Sequence, residues 1–197
     1  MFRLAVTGGI ACGKSLVGRI LSREGVSVCE ADRLAHELMV PGTVVYRGVL
    51  DAFGGGILGP EGEVDRSVLG KRVFSDPASL RRLNRLVHPH VVSAWRAWLD
   101  TVDSDRPAAV IVPLLYEIGV ERGWDAVLCV ASAETVQRRR LAQRGLTEAE
   151  IDQRLAAQMP LMEKMLKADF VVVNDGSEDL LNRQTVRVLR RLMENAA

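Results

Sequence analysis

The sequence predicts an α/β protein with a five-stranded parallel sheet flanked by helices. Three observations predict it. Short apolar runs recur along the 197 residues, separated by segments with helical spacing, the pattern of parallel strands joined by right-handed crossovers. The first run leads directly into the glycine-rich segment Gly8-Gly9-Ile10-Ala11-Cys12-Gly13-Lys14-Ser15, and a helical pattern follows it. The third run, Ala108–Leu115, is almost continuously apolar, as befits a parallel strand buried on both faces.

Each element has a local reason. Phe2–Thr7 is the first strand. Leu16, Val17, Ile20 and Leu21 then share one helical face, and Gly25 stands where that helix should stop. Val26–Cys29 is the second strand, ending at Glu30-Ala31-Asp32. Residues 33–107 have little strand character and are too many for a plain crossover, so they read as a helical subdomain. Within it, Arg33–Val40 is a helix broken by Pro41-Gly42, Thr43–Phe53 a second, and Gly54–Gly62 a loop. Asp65 caps a helix over Arg66–Phe74, and Ser79–Leu99 is helical at both ends, with Pro89 dividing it or starting its second part. After the third strand come a fourth at Ala126–Val130 and a basic helix over Glu134–Arg144. Thr147-Glu148-Ala149-Glu150 has the pattern of a capping box opening a new helix. Phe170–Val173 is the fifth strand and Asp179–Asn195 the closing helix.

Composition narrows the function classes. Apolar residues make up 48% and charged residues 26%, which excludes collagen-like, disordered and disulfide-scaffold chains. With 26 basic and 25 acidic residues the net charge is +1, so bulk charge makes no case for nucleic acid or an anionic membrane. Even Ala108–Val112 extended across Pro113 to Tyr116 falls far short of the roughly 20 residues of a membrane span. Met1-Phe2-Arg3-Leu4 lacks the basic-then-apolar pattern of a secretory signal. Cys12, Cys29 and Cys129 are widely spaced, without a CxxC, and read as reduced thiols. The expected compartment is the cytoplasm. His36, His88 and His90 show no zinc-ligand spacing with these cysteines.

The glycine-rich segment matches G-x-x-x-x-G-K-[ST], a phosphate-binding loop, in the context that the mechanism requires: after a strand and before a helix. Its glycines permit backbone angles that aim several N–H groups at phosphate. The helix N-terminus adds partial positive charge, Lys14 reaches the β/γ-phosphates, and Ser15 offers a hydroxyl to Mg²⁺. The Asn-Lys-x-Asp base-reading motif of a GTPase does not occur, Gly8-Gly9-Ile10 breaks the dinucleotide pattern G-x-G-x-x-G, and the third strand is followed by Glu117 rather than ending in a transporter-type Asp-Glu. A small-molecule kinase suits the short chain and its arginine-rich later helices.

Around that loop the residues leave alternatives. Asp32 follows the second strand, whose end lies on the loop's edge of the sheet. It can accept a proton from a substrate hydroxyl or cap the helix beginning at Arg33. Arg138, Arg139, Arg140 and Arg144 form a cluster in which Arg140 and Arg144 are i, i+4. They either close over a triphosphate or form a solvated basic face, and few aromatics stand nearby to stack on bases. His88-Pro89-His90 reads as helix initiation rather than a metal site. Trp95 and Trp98 read as core or pocket wall, and Cys12 carries no catalysis.

Taken together, Thr7–Ser15, Glu30-Ala31-Asp32, Asp65-Arg66 with Leu69 and Phe74, Leu83-Asn84, His88-Pro89, Val112-Pro113-Leu114-Leu115-Tyr116-Glu117, Arg140-Leu141 with Arg144, Gln158, and Ala168-Asp169 to Asn174 resemble the dephospho-coenzyme A kinases, over roughly residues 2–192. The resemblance implies a single P-loop kinase domain over 1–197, with an inserted helical substrate-binding subdomain (33–107) and a helical lid (133–165). It implies ATP-dependent phosphorylation of the ribose 3′-hydroxyl of dephospho-coenzyme A, the last step of coenzyme A synthesis. ATP is the co-substrate, with Mg²⁺ on Ser15. Asp32 is the implied base, with Lys14 and Arg140 as catalytic partners. Gly9, Ile10, Ala11, Cys12, Gly13, Lys14, Ser15, Leu16, Arg144 and Asn174 are the implied nucleotide contacts, the Asn174 region lying near adenine. Thr7, Asp32, His88 and Leu114 are the implied acceptor contacts. Dephospho-coenzyme A is the expected partner, with no nucleic acid, membrane or obligate protein partner.

The chain departs from the family pattern at Ala11-Cys12-Gly13-Lys14-Ser15-Leu16, where Gly-Ser-Gly-Lys-Ser-Thr is usual. Ala11 restricts the loop and Leu16 lacks a hydroxyl for the α-phosphate. Glu30 replaces the first acid of an Asp-Ala-Asp. Two competing functions are another nucleoside or nucleotide kinase, and a nucleotide-gated protein that binds RNA through the arginine cluster.

Overall fold

The computed structural model describes residues 2–196, and the side chains up to Glu194. The elements are β1 (Arg3–Gly8), α1 (Lys14–Arg23), β2 (Ser27–Glu30), α2 (Ala31–Leu38), α3 (Val44–Phe53), a 3-10 turn (Gly55–Ile57), α4 (Arg66–Phe74), α5 (Pro77–Thr101), β3 (Ala108–Ile111), β4 (Ala126–Ala131), α6 (Glu134–Ala142), α7 (Glu148–Ala156), α8 (Leu161–Lys167), β5 (Phe170–Val173) and α9 (Glu178–Ala196). The five strands form one sheet in the order β2-β3-β1-β4-β5. Every pairing is parallel. Their C-terminal ends therefore share one edge, and the glycine-rich loop leaves β1 from the middle of that edge, where α/β sheets place their ligands.

The chain forms two packed units. One comprises the segment up to Glu30 and everything from Leu99 onward; the other is Ala31–Trp98. In the first, Leu4 and Val6 of β1 and Leu128 and Val130 of β4 belong to a core with Val17, Ile20 and Leu21 of α1 and Leu181, Leu189 and Leu192 of α9. All residues of β3 and β4 are buried, as their unbroken apolar runs require.

The second unit is helical. Val45, Val49, Phe53, Leu69, Val73, Val87, Val91 and Trp95 are buried in it. Its helices begin with local caps: Thr43 Oγ1 accepts from Tyr46 N, and Asp65 accepts from Ser67 N and Val68 N. Tyr46 Oη donates to Gly62 O at 2.6 Å, and Arg72 Nη1 to Phe53 O at 2.6 Å. The Arg72 and Arg82 guanidinium groups lie 5.7 and 5.9 Å from the centre of the Phe53 ring.

Four local expectations are corrected. Pro89 neither divides nor restarts its helix, because α5 is continuous through it. The ring is exposed, while Val87, Val91 and Trp95, one turn apart, bury the opposite stripe on both sides of it, so packing outweighs the one missing backbone donor. The third strand stops at Ile111 rather than Leu115. Val112 N still donates to Val6 O, but Pro113 has no N–H to continue the ladder. The basic helix ends at Ala142, with Gly145 at φ 84° turning the chain, so Arg144 is not on a helical face with Arg140. Finally, α8 is an additional short helix, entered from Pro160. The capping box of α7 is present in both directions between Thr147 and Glu150.

Candidate active site

The loop's course is dictated by close backbone packing. Gly8 has φ 140°, and a Cβ there would lie 2.1 Å from Val130 O of β4. Gly13 has φ 98°, and a Cβ there would lie 2.2 Å from Asn174 Nδ2. No L side chain fits either place. Ala11 is a non-glycine residue at positive φ (59°), an unfavourable backbone state. Its buried methyl packs with Leu141 and Ile151, which offsets part of that cost.

Around this backbone, polar groups converge from distant parts of the first unit. Lys14 Nζ donates to Gly8 O (3.1 Å) and Gly9 O (2.8 Å). Arg140 donates to Ala11 O (3.0 Å), Ser132 Oγ (3.1 Å) and Asn174 O (2.9 Å). Asn174, buried at the end of β5, donates through Nδ2 to Cys12 O at 2.9 Å. Ile10 N donates to Gln158 Oε1 at 3.1 Å. The loop is thus held by side chains 129 to 162 residues away in sequence. Such pre-organisation is what an anion-binding loop needs, because donors already fixed cost no reorganisation when charge arrives.

Ser15 is exposed in the first turn of α1, and its Oγ donates to Glu30 Oε2 at 3.2 Å, at the end of β2. This pair presents two hard oxygen donors, although no group of three or more His, Cys, Asp or Glu residues forms a complete metal cage among the described residues. Leu16 is half-buried against the sheet core, so it adds packing rather than a polar contact. Cys12 is fully buried, and burial raises its thiol pKa above the ordinary value, keeping it protonated and unreactive at neutral pH. Beside Gly9 and Ile10 a cavity of about 850 Å³ opens, lined also by Gln137, Leu155, Met159 and Met165, within the size range of ligand sites.

The remaining predicted residues divide between the units. In the first, Thr7 is buried and donates to Pro113 O at 3.4 Å, next to a half-buried Leu114. Arg144 is exposed beyond the end of α6. In the helical unit, Asp32 is exposed in the first turn of α2, which already begins at Ala31, so Asp32 sits inside the helix rather than ahead of it as a cap. One turn on, His36 Nε2 accepts from Arg66 Nη1, and partial burial, then the Arg66 charge, lower the His36 pKa. His88 is half-buried midway along α5.

Several residues of this arrangement escaped the sequence reading. Arg138, one of the supposed basic face, binds Glu134, Glu148 and Asp152 at 2.8, 3.2 and 2.6 Å and so ties α6 to α7. Lys164 is completely buried and meets Glu117 Oε1 at 2.7 Å. Gln158, which the sequence reading named only as part of the resemblance and without a role, reaches the loop amide. A lysine in a short polar helix looks like a surface residue, and nothing in the spacing of Lys164 signals otherwise.

Comparison with known proteins places the chain in one family. The family model described as dephospho-CoA kinase matches residues 2–179. The dephospho-CoA kinase of Anaeromyxobacter dehalogenans is 43% identical over 192 residues, covering 96% of this chain and 91% of that protein. That of Geobacter metallireducens is 40% identical, covering 98% of each. A Thermus thermophilus crystal structure superposes with a TM-score of 0.77 at 33% identity, covering 97% of both chains. The dephospho-CoA kinase of Campylobacter jejuni superposes with a TM-score of 0.70 at 24% identity, covering 99% of this chain and 98% of that one. Shikimate kinase of Acinetobacter baumannii, 11% identical with a TM-score of 0.52, shares the fold alone. With its phosphate-binding loop, parallel sheet and near full-length similarity, the chain belongs to the dephospho-CoA kinase family of P-loop kinases, which use ATP to phosphorylate dephospho-CoA in the final step of coenzyme A synthesis.

Proposed function

We propose that the loop Gly8–Ser15 holds the phosphates of ATP and that Asp32 activates the ribose 3′-hydroxyl of dephospho-CoA. The observation that carries the reading is the loop, braced by Arg140, Asn174 and Gln158 with Lys14 folded along its carbonyls. Lys14 exchanges carbonyl partners for phosphate oxygens, which attract an ammonium more strongly than a neutral carbonyl does. The amides at the start of α1 supply further donors. Arg140 acts from the same loop: its guanidinium is fixed on Ala11 O and Asn174 O, a position from which charge developing on the transferred group is stabilised without reorganisation. Asn174 supports the nucleotide side through the Cys12 carbonyl, and Arg144 adds an exposed positive charge nearby in sequence.

Ser15 Oγ and Glu30 Oε2 fit Mg²⁺, which takes hard oxygen ligands and keeps part of its coordination for water and phosphate. When bound, the ion would offset phosphate charge. Glu30 is the usual family acid lengthened by one methylene, and it already engages Ser15.

Asp32 follows Glu30 by two residues. As an exposed carboxylate it can orient the attacking hydroxyl and take its proton while the new P–O bond forms. Thr7, His88 and Leu114 complete the proposed acceptor contacts. The cytoplasm is the proposed setting, supported by Cys12, Cys29 and Cys129, all buried and unbridged. A coupled assay of ADP release with dephospho-CoA tests the reading. Turnover is expected with dephospho-CoA and not with nucleoside monophosphates, and the reverse preference overturns it.

A further inference from the structure

Within the first unit lies a buried charge that the phosphoryl-transfer account leaves unused. Lys164 of α8 is 0% exposed, and it is the only charged residue among the described buried ones. Its Nζ donates to Pro113 O at 2.8 Å and meets Glu117 Oε1 at 2.7 Å. The same Glu117 oxygen accepts from Met159 N at 2.9 Å, and Met159 directly follows Gln158, whose Oε1 accepts from Ile10 N in the phosphate loop. Pro113 O also accepts from Thr7 Oγ1 at the end of β1. Burying an ammonium is expensive unless geometry and hydrogen bonds are good, so a packed apolar side chain would serve stability at least as well. What the lysine supplies is direction. It fixes both ends of the segment Pro113–Glu117, and through Glu117 it fixes the backbone that aims Gln158 at the loop.

We infer that Lys164 is a positioning residue for phosphoryl transfer, acting through Glu117 and Gln158 to set Ile10 of the phosphate loop and through Pro113 to set Leu114. The inference rests on the reading that this loop holds ATP. It assigns Lys164 no contact with substrate. Loss of the chain of contacts is expected to lower turnover while leaving nucleotide affinity almost intact, because Lys14, Ser15 and the α1 amides remain.

The test uses the full-length protein with ATP, dephospho-CoA and Mg²⁺. Lys164→Met keeps the length of the stem and removes the charge. Glu117→Gln keeps the shape and an acceptor for Met159 N. Gln158→Ala removes only the contact to Ile10. For each, kcat, the two KM values, ATP affinity in the absence of acceptor, and the melting temperature are measured. Expected is a fall in kcat of about 10-fold or more, the order of loss that slight misplacement near a reacting centre produces, with ATP affinity changed by less than about 3-fold. The double variant Lys164→Met/Gln158→Ala should lose less than the product of the two single losses, because both act along one path.

Should Lys164→Met fail to fold, Glu117→Gln decides, since it weakens the ion pair to Lys164 while leaving Gln158 and the loop contact in place, and a purely structural lysine leaves its kcat unchanged. Wild-type kcat in the folded variants, or losses that multiply independently, overturns the inference. Failure of the wild-type protein to turn over dephospho-CoA would instead count against the underlying reading of the loop.

Discussion

The phosphate loop and the helical unit Ala31–Trp98 are held in opposite ways. Around the loop, the fixing contacts come from far along the chain: Arg140 and Gln158 reach backbone groups of residues 10–11, and Asn174 reaches Cys12. In the helical unit, polar order is shorter in range, the Arg66–His36 contact spanning 30 residues. Thr43 and Asp65 cap the helices they precede, Arg72 returns to Phe53, and Tyr46 to Gly62, while apolar packing does the rest. The difference is one of task. The loop's proposed work, stabilising developing charge, needs donors aimed beforehand, which local sequence cannot enforce. The proposed work of Asp32 needs only a stable helix, and caps with amphipathic packing suffice for that.

Substitutions sharpen this contrast. The largest effect is expected from Asp32→Asn, which keeps the shape while removing the charge and the proton acceptor. Single-turnover transfer should fall by roughly 10²–10⁴-fold, with the melting temperature unchanged. If transfer stays at the wild-type rate, Asp32 has no part in the chemistry.

Lys14→Ala comes next. Loss of a charge aimed at the transferred group costs about 3 kcal/mol or more, on the order of 10²-fold in rate. Near-normal turnover at saturating ATP would remove Lys14 from the site.

Arg140→Ala should lower turnover more than it weakens ATP binding, by about 10- to 100-fold against about 3-fold, because it removes both the proposed transition-state donor and a brace of the loop. Arg139, exposed on the same helix, is the control. Equal losses from Arg139→Ala and Arg140→Ala would mean a diffuse basic face, and the contrast between a braced loop and its surroundings would fail.

Ser15→Ala should raise the Mg²⁺ concentration needed for half-maximal activity. An unaltered titration would show that Ser15 is not a ligand.

The smallest effect is expected at Tyr116, whose hydroxyl is buried and without a hydrogen-bond partner among the described residues. Burial pushes its pKa up to about 12, so it stays neutral across the working range. Tyr116→Phe should leave turnover unchanged and alter stability by no more than about 1 kcal/mol, in the stabilising direction, because a desolvated unpaired hydroxyl is removed. A loss of several degrees in melting temperature would reveal a partner for that hydroxyl.

The sequence by itself determined the alternation of strand and helix, the loop and its Lys14-Ser15 end, the caps at Asp65 and Thr147, and the candidate carboxylate at Asp32. All of these are written in neighbouring residues: apolar periodicity, glycines where positive φ is required, and a capping residue within three positions of the amides it binds. The tertiary structure alone decided the rest. A proline at position 89 reads as a break, yet Val87, Val91 and Trp95 bury a continuous stripe across it. Arg138, Arg139 and Arg140 look alike in a row. The fold makes the first a staple between α6 and α7, leaves the second exposed, and turns the third onto the phosphate loop. Lys164 has the composition of a surface residue and is fully buried against Glu117. What a charged side chain does depends on which partner the fold brings within 3 Å of it, and residues more than 40 positions apart leave no periodic trace of such a meeting.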